Sequence, residues 1–141
     1  MKSIDTQLLL YALNEDCAEF EICRALLEEM THAPSEWVLA DQVLLELYRL
    51  LRNPVVLSKP LSATQAGNIL SFFDRQPFHR VGYQHDLWPR LLTSLAARDF
   101  PARRCFDMQL AHTLLSNGVD VFYTRNTKDF QGFKRLVNPL A

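Results

Sequence analysis

The run Arg103 to Asp129, RRCFDMQLAHTLLSNGVDVFYTRNTKD, constrains this chain more than any other. From Cys105 to Asn117, Phe106, Leu110 and Leu114 recur at spacing four and Ala111 and Leu115 widen the stripe, which predicts a helix with one apolar face. Asn117-Gly118 ends it, since glycine takes the left-handed conformation at a helix terminus without strain, and Val119 to Thr124 then reads as a strand. Asp107 does not fit the stripe. Ala111 and Leu114 lie four and seven positions on, so its carboxylate belongs on the inward side of the first turn. Two explanations stand at this point: Asp107 satisfies free N–H groups and the positive end of the helix dipole, or it is placed there for chemistry.

With 141 residues the chain is expected to form a single domain, 1–141, with a substantial core; 48% apolar and 22% charged residues are ordinary for a globular protein. No apolar run approaches a bilayer span, and MKSIDTQLLLYALNED carries one lysine and early acids instead of a signal-peptide pattern, so a soluble, cytoplasmic protein with no membrane association is expected. Cys17, Cys23 and Cys105 have neither CxxC spacing nor even pairing and read as reduced core thiols, and His32, His79, His85 and His112 lack a metal-ligand spacing. A formal charge of -1 supplies no global field for nucleic acid, so a polyanion must be held by a local patch or through a metal ion.

In chain order, Lys2 to Asp5 reads as a short strand followed by a helix over QLLLYAL, and Ala18 to Met30 as an amphipathic helix with a solvated face of glutamates. WVLA is short enough for a buried strand. In the helix DQVLLELYRLLRN, Glu46 falls on the border of the apolar arc, beside Val43 and Leu50. Ser62 to Gln65 has the spacing of a capping box opening a helix to about Gln76, Phe78 to Val81 reads as a strand, and HDLWPRLLTSLAAR as a helix that tolerates Pro89 only in its first turn. KRLVNP adds an edge strand closed by Pro139. Strands alternating with helices predict a three-layer α/β/α sandwich with a mainly parallel central sheet, because parallel strands require crossovers packed on the sheet faces.

Four acids, Asp5, Glu46, Asp107 and Asp129, are thereby each expected at or beside a strand end or helix start, although the chain separates them widely. Carboxylates gathered in one cleft repel, and the repulsion is relieved by protonation or by a hard cation, for which oxygen-only ligands suit Mg²⁺ or Mn²⁺. A site of that kind supports phosphodiester chemistry.

The segments MKSIDTQLLLYAL, VLLELYRLLRNP and CFDMQLAHTLLSNGVDVFYTRNTKDF together resemble the successive motifs of the PIN-domain ribonucleases, in particular the VapC-type toxins of bacterial toxin–antitoxin pairs. The resemblance spans nearly the whole chain, with 59–98 matching in pattern only. It implies a parallel sheet sandwiched by helices, an acid cluster binding Mg²⁺ or Mn²⁺, and endonucleolytic hydrolysis of RNA. Asp5 and Asp107 would then be the principal metal ligands, Glu46 an acid completing the cluster and Asp129 the last acid, with Thr124 and Asn126 shaping the loop that meets substrate. Gln7 stands where the family commonly has Asn, and Asn126 where some members have the fourth acid, so whether Asn126 or Asp129 completes the site stays open. A homodimer and a cognate antitoxin protein are further implications.

Arg103, Arg104, Arg125 and Lys128 flank the two late acids and are the expected phosphate contacts, the alternative for each being an ordinary surface charge. Two other functions remain in view: a PIN-like module that binds RNA or protein with little catalysis, and a phosphohydrolase acting on small substrates. The haloacid-dehalogenase type is disfavoured because Asp5-Thr6-Gln7 lacks its second aspartate and only four glycines are present, none in a phosphate-binding loop.

Overall fold

The computed structural model describes residues 1–141 as five short strands and six helices. In order these are β1 (Lys2–Ile4), α1 (Thr6–Leu13), α2 (Phe20–His32), β2 (Val38–Ala40), α3 (Asp41–Leu51), α4 (Ala63–Arg75), β3 (His79–Val81), α5 (Trp88–Leu95), α6 (Cys105–Ser116), β4 (Val121–Tyr123) and β5 (Arg135–Val137), with 3₁₀ turns between several of them. Strand β4 pairs in parallel with β1 and β5, and β2 with β3. A parallel bridge from Lys2 to Trp37 and a 2.7 Å hydrogen bond from Ser3 Oγ to the Val38 carbonyl join the two groups, giving the order β3-β2-β1-β4-β5.

That order determines where the helices lie. The chain steps one way from β1 to β2 to β3 and then crosses back to β4, and the right-handed rule for parallel crossovers accordingly assigns α1–α4 to one face and α5–α6 to the other. Packing agrees: α1 lies on α2 and α3, α3 on α4, and α5 on α6. The direction of travel reverses between β1 and β4, and the carboxyl ends of these two strands therefore open onto the crevice of the sheet.

Local signals largely set the elements. The Ser62 hydroxyl accepts from the Gln65 N–H at 3.2 Å while the Gln65 side chain accepts from the Ser62 N–H at 2.9 Å, a closed capping box. Pro89 sits in the first turn of α5, where its missing N–H costs nothing; residues 85–87, expected as helix, form a 3₁₀ turn before it. Gly118 takes φ +77 after α6, as its position past the helix end requires. The strands are shorter than their apolar runs: Val119 and Asp120 precede β4 instead of belonging to it.

Twenty-seven buried residues form one continuous core that includes Trp37, Phe73 and Phe122. Phe122, fully buried in β4, meets Phe130 edge-on at 4.8 Å and stacks on Phe133 at 5.1 Å, which fastens the β4–β5 connection to the sheet. Phe122→Ala is expected to lower the unfolding free energy by about 3–5 kcal/mol, the cost of emptying a closed aromatic site, as read from urea denaturation. A loss within 1 kcal/mol of zero contradicts this packing.

Candidate active site

Asp5 follows β1 directly. Its N–H bonds the Tyr123 carbonyl at 2.9 Å, continuing the β1–β4 ladder, and its extended backbone makes it the residue that begins α1. One carboxylate oxygen accepts from the Thr6 N–H at 2.8 Å and the other from Thr124 Oγ1 at 2.7 Å. Helix capping thus occupies only one of the two oxygens. Thr124, at the end of β4, is fully buried, so the carboxylate is clasped between the two strands that meet at the reversal of the sheet.

Glu46 reaches the same place from α3. Thr6 Oγ1 donates to one of its oxygens at 2.9 Å and Gln42 Nε2 to the other at 3.2 Å. Gln42 Nε2 also bonds the Phe106 carbonyl at 2.8 Å, tying α3 to the first turn of α6. Asp107 stands in that turn, half-buried, and makes no capping bond to the free N–H groups of the helix. A capping hydrogen bond therefore does not account for its inward position, although it lies in the first turn, at the positive end of the helix dipole. Asp129, in the β4–β5 connection, is paired with Arg103 and Arg104, each at 3.5 Å, and Arg104 also donates to its carbonyl at 2.5 Å.

The four acids act on one another. Burial first, then the charges of Asp5, Asp129 and Glu46, push the Asp107 carboxyl up to about 6, while Arg104 opposes the shift. Burial raises Asp5 as well; its bonds from Thr124 and Thr6 offset part of this, and Glu46 and Asp129 add to it. No three acidic, histidine or cysteine side chains lie close enough together to form a ligand set. The donors are all oxygens, their charge exceeds that of Arg104, and Asp107 is unbonded; this composition fits a hard divalent cation and not zinc, copper or an iron cofactor.

No protein-family model matches the sequence. Ribonuclease VapC24 of Mycobacterium tuberculosis, in strains CDC 1551 / Oshkosh and ATCC 25618 / H37Rv, is 38% identical over 147 aligned residues, covering 100% of this chain and 98% of the relative. The chain belongs to the VapC-type PIN-domain ribonuclease family. Three solved structures share the fold of this VapC-type chain. M. tuberculosis VapC20, described as a sarcin–ricin loop cleaving toxin, superposes with a TM-score of 0.70 at 15% identity over 92% of each chain. VapBC2 from Rickettsia felis, bound to a promoter DNA fragment, gives 0.63 at 17% identity over 97% of each. FitAB bound to a DNA fragment gives 0.66 at 14% identity over 99% of this chain and 95% of the other.

On this VapC-type scaffold the charges of Asp5, Glu46 and Asp129 all act on Asp107, and Asp129 is the loop acid within electrostatic reach of Asp5 and Asp107; the exposed Asn126 contributes its backbone N–H to Thr124 Oγ1 at 3.1 Å. The expected substrate contacts require correction. Thr124 has no exposed surface, and its hydroxyl is committed to Asp5, so it positions a carboxylate instead of meeting RNA. Arg104 is held by Asp129, and Arg125 by the Tyr11 hydroxyl and Glu19 beside the Tyr11 ring. Arg103 leans on Asp129 but stays largely exposed, and Lys128 is exposed. Thr6 and Gln42 link the acids, and nothing in the local sequence pattern marks either for that part.

The pH dependence follows from Asp107. Folding raises its carboxyl from 3.8 to about 6, so the folded chain holds this proton more tightly than the unfolded one and the ionised form opposes folding. The opposition is absent below about pH 4, grows up to pH 6 and is complete above it, with solvent screening at a half-exposed group keeping it modest. In chelator, Asp107→Asn is expected to melt above the wild type at pH 7.5, with the gap closing at pH 4. Identical melting at both pH values removes the proposed repulsion.

Proposed function

We propose that this protein is a Mg²⁺- or Mn²⁺-dependent endoribonuclease that hydrolyses RNA phosphodiester bonds, and that it serves as the toxin of a toxin–antitoxin pair. What supports this reading is the electrostatic influence of Asp5, Asp129 and Glu46 on Asp107 near the ends of β1 and β4, with Asp107 itself left without a hydrogen bond. It is supported by the full-length likeness to a protein named a ribonuclease and by the common fold with a toxin described as cleaving an RNA loop.

The four acids would hold the cation. When bound, such an ion polarises a phosphoryl oxygen and stabilises the charge that builds on it. The chain itself supplies orientation. Two hydrogen bonds hold Asp5 in one rotamer, Thr6 and Gln42 do the same for Glu46, and Arg103 and Arg104 for Asp129, so three carboxylates are set before any ligand arrives. Asp107, which no hydrogen bond within the chain restrains, is free to turn toward the cation. Arg103 and Lys128, on the open side of the loop, are placed to meet phosphates.

A single unit over 1–141 is supported by the continuous core. No helix is long and apolar enough to cross a membrane, and action in the cytoplasm belongs to the same proposal. Pairing with a cognate antitoxin protein extends the reading by analogy with the fold relatives VapBC2 and FitAB, and assembly as a homodimer is proposed from the family resemblance alone.

Purified protein is expected to cut structured or single-stranded RNA only when Mg²⁺ or Mn²⁺ is supplied, and Asp107→Asn to lower the rate by at least ~100-fold while retaining the fold. RNA cleavage by Asp107→Asn at the wild-type rate, or cleavage unaffected by chelator, refutes the assignment. Equal RNA binding with no cutting by either protein instead identifies a binding module. Thr124→Val, which removes one of the two bonds on Asp5, is expected to reduce kcat by roughly 10-fold, in keeping with about 1–2 kcal/mol for a hydrogen bond to a charged group. Single-turnover cleavage checks it, and an unchanged rate shows that Asp5 needs no such support.

A further inference from the structure

A groove of about 770 Å³ opens between α3 and α6 beside the acids, and Glu46 is part of its wall. We propose that this groove binds a nucleobase of the RNA strand being cut, next to the scissile phosphate, with Phe106 as the stacking face; this rests on the ribonuclease reading above. Phe106 is in phase with the buried Leu110 and Leu114, yet 64% of its surface is exposed, and it lines the groove with Leu45, which is 69% exposed. Phe106 immediately precedes Asp107, a turn of about 100° around the helix. Its backbone is fixed by the bond from Gln42, which also bonds Glu46, so ring and acid site are held by one amide.

The rim chooses the occupant. Gln109 and Arg49 line the groove along with Glu46, and Arg49 enters no ion pair with the chain's own acids. Tyr83, in the opposite wall, keeps its hydroxyl buried without a hydrogen-bond partner. A partner protein laying an apolar helix here would strip water from Glu46, Arg49 and Gln109 and leave them unpaired. A nucleotide matches the same wall: a flat face for Phe106, edge donors and acceptors for Gln109, and phosphate charge for Arg49. The volume falls within the range of small-ligand sites, and Glu46, bonded to Thr6 next to Asp5, belongs to both the groove and the acids.

The test pairs a protein change with an RNA change. An RNA that the wild type cuts is prepared with one abasic ribonucleotide placed in turn at each position flanking the cut. One position is expected to lower kcat/KM by ~5- to 150-fold, the range for loss of one stacked base. Phe106→Ala is expected to lower kcat/KM on intact RNA by a similar factor, to lose little more on the abasic RNA, and to recover with Phe106→Trp. Its exposed side chain makes the unchanged melting temperature a control for folding. Separate losses that multiply, or no loss with Phe106→Ala, overturn the subsite while leaving the nuclease reading intact.

If the wild type cuts no RNA, the nuclease reading fails first, and binding decides the groove. Asp107→Asn protein is titrated into short RNAs carrying 2-aminopurine. Quenching that disappears in the Asp107→Asn, Phe106→Ala double variant supports the base subsite, whereas equal quenching in both overturns it. Loss of binding to a co-expressed protein partner by Phe106→Ala, with RNA stacking unaffected, assigns the groove to a protein instead.

Discussion

The hydrogen bond between Thr124 and Asp5 joins the first strand to the fourth at the point where the sheet changes direction. It is buried, it ties residues 119 positions apart, and it settles the orientation of the carboxylate at the mouth of the crevice. An ionised acid with so little exposed surface is unfavourable unless donors surround it, and the Thr6 N–H and the Thr124 hydroxyl are those donors. Ladder pairing of β1 with β4 brings the two residues into reach, and the packing of Phe122 against Phe130 and Phe133 holds the connection that follows. Fold stability and site geometry therefore depend on the same seam.

From that seam the restraint spreads outward through side chains. Thr6 passes it from Asp5 to Glu46, Gln42 from Glu46 to the first turn of α6, and Arg104 from the foot of α6 to Asp129. Each acid except Asp107 is held by a donor. The exception is Asp107, whose carboxyl is pushed up to about 6 by burial first and then by the neighbouring acids. The basic residues are mostly used internally: Arg104 and Arg125 steady the β4–β5 connection, so contact with a polyanion falls to fewer cations than their number in the sequence implies.

Legibility in the sequence varied with the range of the interaction. The capping box at Ser62, Pro89 in a first turn and Gly118 past a helix end are decided by neighbours a few residues away, and all three are as expected from the local pattern. Phe106 is the contrary case. It repeats with Leu110 and Leu114, which predicts burial, but helix periodicity states only which residues share a face and not how far the neighbouring element extends along it. At the first turn of α6 the cover runs out, leaving the ring beside the groove.

The sequence by itself determined the alternation of strands and helices, the family likeness and the four acids worth watching, because hydrophobic period, turn residues and motif order are properties of the linear chain. Only the tertiary structure decided that Thr124 faces inward, that Arg104 and Arg125 are bound to the chain's own groups, and that Asp107 caps nothing. Those outcomes depend on which atoms lie opposite across distances of 25 to 119 residues along the chain, and a hydroxyl or guanidinium carries no mark in the sequence of the partner it will meet.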